Sequence, residues 1–156
     1  MNLSTNEKKL RYRETFKRLI NLGLTTVCLG LEVALFAYYW QVQFRWSVVE
    51  PLRYFQGKGH VLEISIYAVL LFLLSSMYGG IRLGYLKNVE LIFSQVFATL
   101  MANILIYAEL SVMAAQPFVP DVFIIMMVQQ TAVVIVYINV ANRIYRIIFQ
   151  PRKLLL

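Results

Sequence analysis

Charged and chemically reactive side chains are scarce in this chain of 156 residues. Only 15% of the residues are charged, and there is one cysteine, Cys28, and one histidine, His60. A single cysteine cannot close an intrachain disulfide, and one His with one Cys cannot complete a structural zinc site. The sequence has no CxxC, no HExxH and no phosphate-binding loop. These absences leave no persuasive enzyme active site.

Proline is missing from four long apolar stretches, and so is any regular alternation of polar and apolar residues. The chain is 60% hydrophobic, with a mean hydropathy of +0.64. A membrane-spanning helix needs about 20 mostly apolar residues. In lipid, only helices and closed β-barrels satisfy the backbone hydrogen bonds. The strands of a barrel would show alternating polar and apolar residues, and this sequence does not. The sequence therefore predicts an all-α, four-transmembrane-helix bundle. Its spans cover residues 19–42, 61–77, 89–115 and 122–141.

Acidic residues number 8 against 15 Lys and Arg, and the basic residues are distributed unevenly. Twelve lie in the N-terminal segment, the second loop and the C-terminal tail, against three in the first loop, residues 43–60, and none in the third. By the positive-inside rule, both termini are expected in the cytoplasm. The basic balance indicates attraction to anionic lipid rather than nucleic-acid binding.

Basic residues near the expected inner surface are candidates for contact with lipid phosphate. They are Arg11, Arg13, Arg82 and Lys87. Arg82 and Lys87 belong to a glycine-containing loop, residues 78–87, whose glycines do not follow the GxGxxG order of dinucleotide sites. The loop is compatible both with a tight turn and with a lipid-phosphate contact.

Glu32 lies near the middle of the first apolar stretch. An acidic residue there costs about 2.5–3.5 kcal/mol on insertion scales, so it should face the bundle, be neutral or have a partner. No Lys or Arg occurs in the four stretches. Two interpretations stay open, a neutral carboxyl bonded to a neighbouring helix and a proton or substrate site. On nearly the opposite side, Gly23 and Gly30 belong to a face of small residues that permits close helix approach.

The third stretch carries a polar ladder at steps of four residues. Its members are Gln95, Thr99, Asn103, Tyr107 and Ser111. Residues at this spacing share one helix face. Such side chains usually bond across helices in a membrane. A polar pathway is the alternative interpretation.

These features together resemble one family, the bacterial polyprenyl-phosphate sugar-1-phosphate transferases of exopolysaccharide and capsule synthesis. The resemblance is carried by the basic start, the four stretches, the Tyr-Gly-Gly-x-Arg-x-Gly-Tyr-Leu loop at 78–86, and the exit through Asn142-Arg143-Ile144-Tyr145 to residues 151–156. It implies that residues 1–150 form a membrane domain and that residues 151–156 begin a linker or strand to a cytoplasmic domain. Full-length members transfer a sugar phosphate from a nucleotide sugar to undecaprenyl phosphate, using Mg²⁺ and an acidic pair in a later catalytic domain.

No catalytic or metal residue of that family can be assigned to a position of this sequence. We therefore expect a membrane anchor in the bacterial cytoplasmic membrane, inactive as a transferase on its own and without a cofactor. Its expected partners are membrane lipids, including undecaprenyl phosphate, and a second copy of the chain. The alternatives are a small four-helix transporter of polyprenyl-linked sugars and a structural assembly subunit.

Overall fold

A computed structural model describes residues 5–49, 58–80, 88–114 and 120–148, and every secondary-structure element in these ranges is helical. The helices are α1 (Thr5–Tyr39), which continues as a π-helical segment (Trp40–Val49), α2 (Gly59–Tyr78), α3 (Asn88–Ala114) and α4 (Pro120–Ile148). Four helices are long and apolar enough to cross a membrane. The predicted stretches fall within them, apart from residue 115, which lies outside the described ranges.

The first loop was expected to begin at residue 43, and this boundary is wrong. Helical backbone continues through Val49. Its first half carries two large aromatic side chains, Trp40 and Phe44, which are almost fully buried. The indole N–H of Trp40 donates to Nδ1 of His60, at 3.2 Å. Burial of aromatic rings stabilises the extra turns, whereas the aromatic and charged residues mixed across residues 43–60 are typical of an interfacial loop.

Successive helices run antiparallel, as the contacts between them show. The ring of Phe36 on α1 stacks on that of Tyr67 on α2, with centroids 4.0 Å apart. Trp40, which follows in the π-helical continuation of α1, contacts His60, which comes before Tyr67 on α2. The same reversed order relates α3 to α4 and α1 to α4. The pairs are Asn103 with Gln130, Tyr107 with Phe123, Leu24 with Tyr137, and Glu32 with Gln130. We call the end where α1 begins and α4 ends the basic end, and the other the far end.

The bundle exposes apolar side chains and buries polar ones. Val112, Met77 and Phe93 are at least 75% exposed, whereas Glu32 and Gln130 are fully buried. That distribution suits lipid as the solvent. Two apolar clusters form the core. The larger is built around Phe36, Tyr67, Ile106 and Met126, and the smaller around Leu91, Val134, Ile138 and Ala141.

The small-residue face of α1 does not bring a neighbouring helix close within this chain. A Cβ added at Gly23 or at Gly30 would meet nothing within 4 Å. The small residues permit close approach at this face, but no neighbouring helix of the described bundle makes it at Gly23 or Gly30. The helix turns its other side, which carries Cys28, Glu32 and Phe36, toward the core.

Candidate functional site

The carboxyl group of Glu32 lies inside the bundle and is bonded to side chains of α3. The side-chain amide of Gln95 donates to Oε1 at 2.8 Å, and the Thr99 hydroxyl lies 2.5 Å from Oε2. The Cys28 thiol, one turn earlier on α1, is 3.9 Å from Oε1 and is a weak donor. Three side chains thus converge on one buried carboxyl, as expected for an acidic group that must be satisfied away from water.

The Thr99 hydroxyl has two oxygen neighbours and one hydrogen to donate. Besides Glu32, it lies 2.9 Å from the backbone oxygen of Gln95. If Glu32 is ionised, Thr99 donates to it. If Glu32 is protonated, its O–H donates to Thr99, which in turn donates to the Gln95 carbonyl. Both contacts carry a hydrogen only in the second arrangement, and a neutral carboxyl also avoids burying a charge without a cation.

Gln130 of α4 joins the remaining helices to this group. Its Nε2 donates to the backbone oxygen of Glu32 at 3.2 Å and to the Tyr67 hydroxyl at 2.8 Å. Its Oε1 accepts from Nδ2 of Asn103 at 2.7 Å. One amide therefore binds α1, α2 and α3 at once. We call the connected set the polar layer. It comprises Glu32, Tyr67, Gln95, Thr99, Asn103 and Gln130.

Two members of the polar layer, Tyr67 and Gln130, were not among the predicted site residues. Each occurs within an apolar stretch, which is the only signal that the sequence gives. An amide in the middle of a membrane span needs a partner for the same reason as Glu32. The aromatic ring of Tyr67 also suits a membrane interface, which conceals its role in the bundle.

The turn after α2 touches the polar layer through Gly80. Gly79 has φ 82°, a left-handed conformation that ends the helix, and the Gly80 N–H donates to Ser75 O at 2.9 Å. A Cβ added at Gly80 would lie 2.2 Å from Oε1 of Gln95. The absence of a side chain at Gly80 therefore leaves the room in which the Gln95 amide can reach Glu32.

The predicted ladder continues toward the far end of the bundle with Tyr107 and Ser111. The Tyr107 ring packs on Phe123, with centroids 5.2 Å apart. Ser111 Oγ is buried without a hydrogen-bond partner, and so is Oδ1 of Asn103. Within the ladder, Gln95, Thr99 and Asn103 thus form bonds to neighbouring helices.

A second carboxyl is buried at the far end. Glu63 on α2 is 2% exposed, and its Oε1 has no hydrogen-bond partner. Glu109 on α3 lies toward the same end of the bundle. Within the described ranges, no group of three or more His, Cys, Asp and Glu could hold a metal ion. The Mg²⁺ that the resemblance implies belongs to the later catalytic domain, so its binding residues are not expected in this bundle.

The predicted lipid-phosphate contacts lie where side chains are not described. Arg82 and Lys87 fall in residues 81–87, outside the described ranges, as do residues 151–156. Arg11 and Arg13 lie on α1, but their side chains are outside the description. These assignments stay predictions.

The polar layer can hold or pass a proton at Glu32 and can hold four helices together. Its other members are amides, a phenol and a secondary alcohol, none adjacent to a base that would make it a nucleophile. Comparison with protein-family models, curated proteins and solved structures finds no match to this chain.

Proposed function

We propose that this chain is a membrane-anchoring domain of a polyprenyl-phosphate sugar-1-phosphate transferase. The proposal is supported by the four membrane-length helices and by the sequence resemblance in the inner loop and at the exit of α4. In this role, the bundle keeps a catalytic part at the membrane surface where the lipid acceptor lies. Confinement of that kind raises the effective concentration of one reactant near the other.

The observation that carries the anchoring role is that the Glu32 carboxyl and the Gln130 amide, which connect the four helices, are fully bonded within the polar layer. Both oxygens of Glu32 and all three polar positions of the Gln130 amide bond within the chain. A substrate pathway needs polar groups that exchange their partners with the passing ligand. A layer whose groups bond to one another instead fixes the relative positions of four helices, which is what an anchor requires.

The test is a transfer assay with and without a catalytic domain. Purified in a bilayer with a nucleotide sugar, Mg²⁺ and undecaprenyl phosphate, the 156-residue chain should release no nucleoside monophosphate. A fusion of a transferase's cytoplasmic domains after Leu156 should release it faster than the same domains added unfused. Turnover by the chain alone, or no gain from fusion, would refute the anchoring role.

The second candidate is transport of a polyprenyl-linked sugar. It is favoured by one observation, the buried acceptor Asn103 Oδ1, which has no hydrogen-bond partner and lies beside the Gln130 amide. A transporter should move a fluorescent polyprenyl-linked sugar across liposomes, and Glu32→Gln should abolish that movement while the protein stays folded. Unchanged movement relative to protein-free liposomes would exclude this function.

A further inference from the structure

An apolar groove runs along the outside of the bundle between α1 and α4. Its volume is about 390 Å³. Its walls are formed by Leu31, Ala132, Val133, Val136, Tyr137 and Val140. The one polar group of these side chains, the Tyr137 hydroxyl, already donates to Leu24 O at 2.7 Å. The groove therefore offers a hydrocarbon surface and nothing to bind water.

The α4 wall of the groove ends in a cation. Arg143 follows Val136 by seven residues and Val140 by three, and these spacings keep all three on one helix face. Arg143 is exposed and forms no ion pair with a described side chain. Its position on the helix is about one turn nearer the basic end than Val140, just beyond the residues that line the groove.

The α1 wall leads to a second cation at the same height. Lys17 precedes Leu31 by 14 residues, which places the two about 40° apart around the helix. The bond between Tyr137 and Leu24 sets the register of the two helices. From it, Arg143 lies about 9 Å and Lys17 about 10 Å farther toward the basic end. Both cations therefore flank one end of the groove.

We propose that this groove binds an anionic phospholipid, with one acyl chain along Val136 and Val140 and the headgroup phosphate between Arg143 and Lys17. The choice of occupant rests on charge complementarity, since an apolar groove that ends in two cations matches a chain that ends in a phosphate. Long basic side chains reach the headgroup level from just inside a membrane. This binding does not depend on the anchoring role and would hold for any function of the bundle.

The headgroup half of the proposal is tested with charge variants. The purified protein is mixed with phosphatidylglycerol and phosphatidylcholine, and bound lipids are counted by native mass spectrometry. Arg143→Gln and Lys17→Gln should each reduce the preference for phosphatidylglycerol roughly fivefold. Arg18→Gln is the matched control, because Arg18 carries the same charge at the same end but lies about 140° around the helix from Leu31.

Two results would overturn the headgroup assignment. If Arg18→Gln lowers the preference as much as Arg143→Gln, the protein attracts anionic lipid without a site. If the unmodified protein does not prefer phosphatidylglycerol over phosphatidylcholine, the cations do not recognise a phosphate lipid.

The chain half of the proposal is tested by filling the groove. Ala132→Phe places a ring against the groove wall and keeps every charge, so it should displace bound phosphatidylglycerol. Val128→Phe is the control, since Val128 is 64% exposed on the same helix and does not line the groove. Helix content by circular dichroism verifies that both variants fold. Equal retention of lipid by both variants would show that the groove is not the binding surface.

Discussion

Glu32 is the buried polar residue whose replacement should change the stability of the bundle most directly. Its carboxyl is the shared hydrogen-bond partner of Gln95 and Thr99. The four apolar stretches contain no Lys or Arg that could pair with it. Replacing Glu32 by Leu would leave the buried Gln95 amide without its acceptor, at about 1–3 kcal/mol, and Thr99 with only the Gln95 carbonyl as partner. Glu32→Gln keeps an oxygen acceptor and a donor of the same size. Gln should therefore preserve the fold, and Leu should weaken it.

The measurement is the unfolding free energy in mixed micelles, followed by tryptophan fluorescence. Glu90→Leu is the control, because Glu90 is an exposed carboxylate in the first turn of α3 and bonds to no member of the polar layer. Equal losses for Glu32→Gln and Glu32→Leu would mean that Glu32 must ionise, which contradicts the neutral arrangement.

Gly80 permits a second, independent test of the polar layer. In Gly80→Ala, the new Cβ would occupy the space 2.2 Å from Gln95 Oε1, and the amide would have to swing away from Glu32. The expected loss is one interhelical hydrogen bond, about 0.6–1.7 kcal/mol. In a Gln95→Ala background the same substitution should cost little, since the next neighbour is Ser75 O at an ordinary 3.5 Å.

The matched control for Gly80 is Gly30. Gly30→Ala adds the same methyl group on α1, where nothing lies within 4 Å. It should leave stability unchanged or raise it by up to about 1 kcal/mol through helix propensity. If the stability losses of Gly80→Ala and Gln95→Ala are additive, the turn and the polar layer are not linked through these two residues. A large loss of stability in Gly30→Ala would indicate a partner on that face of α1.

At the scale of elements, α4 is tied to the other three helices mainly by one residue, Gln130. Gln130→Met should remove bonds to three helices while keeping the side chain's volume. The neighbouring Gln129 is exposed and accepts one bond, from the Tyr39 hydroxyl at 2.9 Å. Gln130→Met should therefore lower the melting temperature well below that of Gln129→Met. Similar melting temperatures would indicate that apolar packing alone orients α4.

The helices were predictable from local sequence, but the partners within the polar layer were not. Apolar length alone predicts four spans, and the four-residue step predicts that Gln95, Thr99 and Asn103 share a face. Which helix that face meets depends on the register between α1 and α3, and single-helix periodicity carries no such information. The packing of Gly80 on Gln95 is unpredictable for the same reason. The extension past residue 42 was missed because aromatic residues mixed with charges across residues 43–60 are typical of an interfacial loop, and the burial of Phe44 depends on tertiary packing.

For the whole molecule, the polar layer forms hydrogen bonds between the helices, whereas the outer surface is suited to contact with lipid. The layer pairs the Glu32 carboxyl and the Gln130 amide inside the bundle, so the outside can be left to hydrocarbon contact, as the exposure of Val112 and Phe93 illustrates. What the bundle presents to each side of the membrane then depends on orientation. Four antiparallel helices put the basic end, with Lys17, Arg18 and Arg143, on one side and the start of α2 on the other.

The charge count predicts that the basic end faces the cytoplasm, and cysteine labelling in intact cells can test it. In a Cys28→Ala background, a cysteine at Lys58, the exposed residue before α2, should react with an impermeant thiol reagent. Cysteines at Lys9 and Arg82 should react only after the membrane is opened, because twelve basic residues against three favour retention of that side. Labelling of Arg82→Cys but not Lys58→Cys in intact cells would mean that the bundle has the opposite orientation in the membrane. A catalytic domain attached beyond α4 would then face away from cytoplasmic nucleotide sugars, so this result would also exclude the anchoring role.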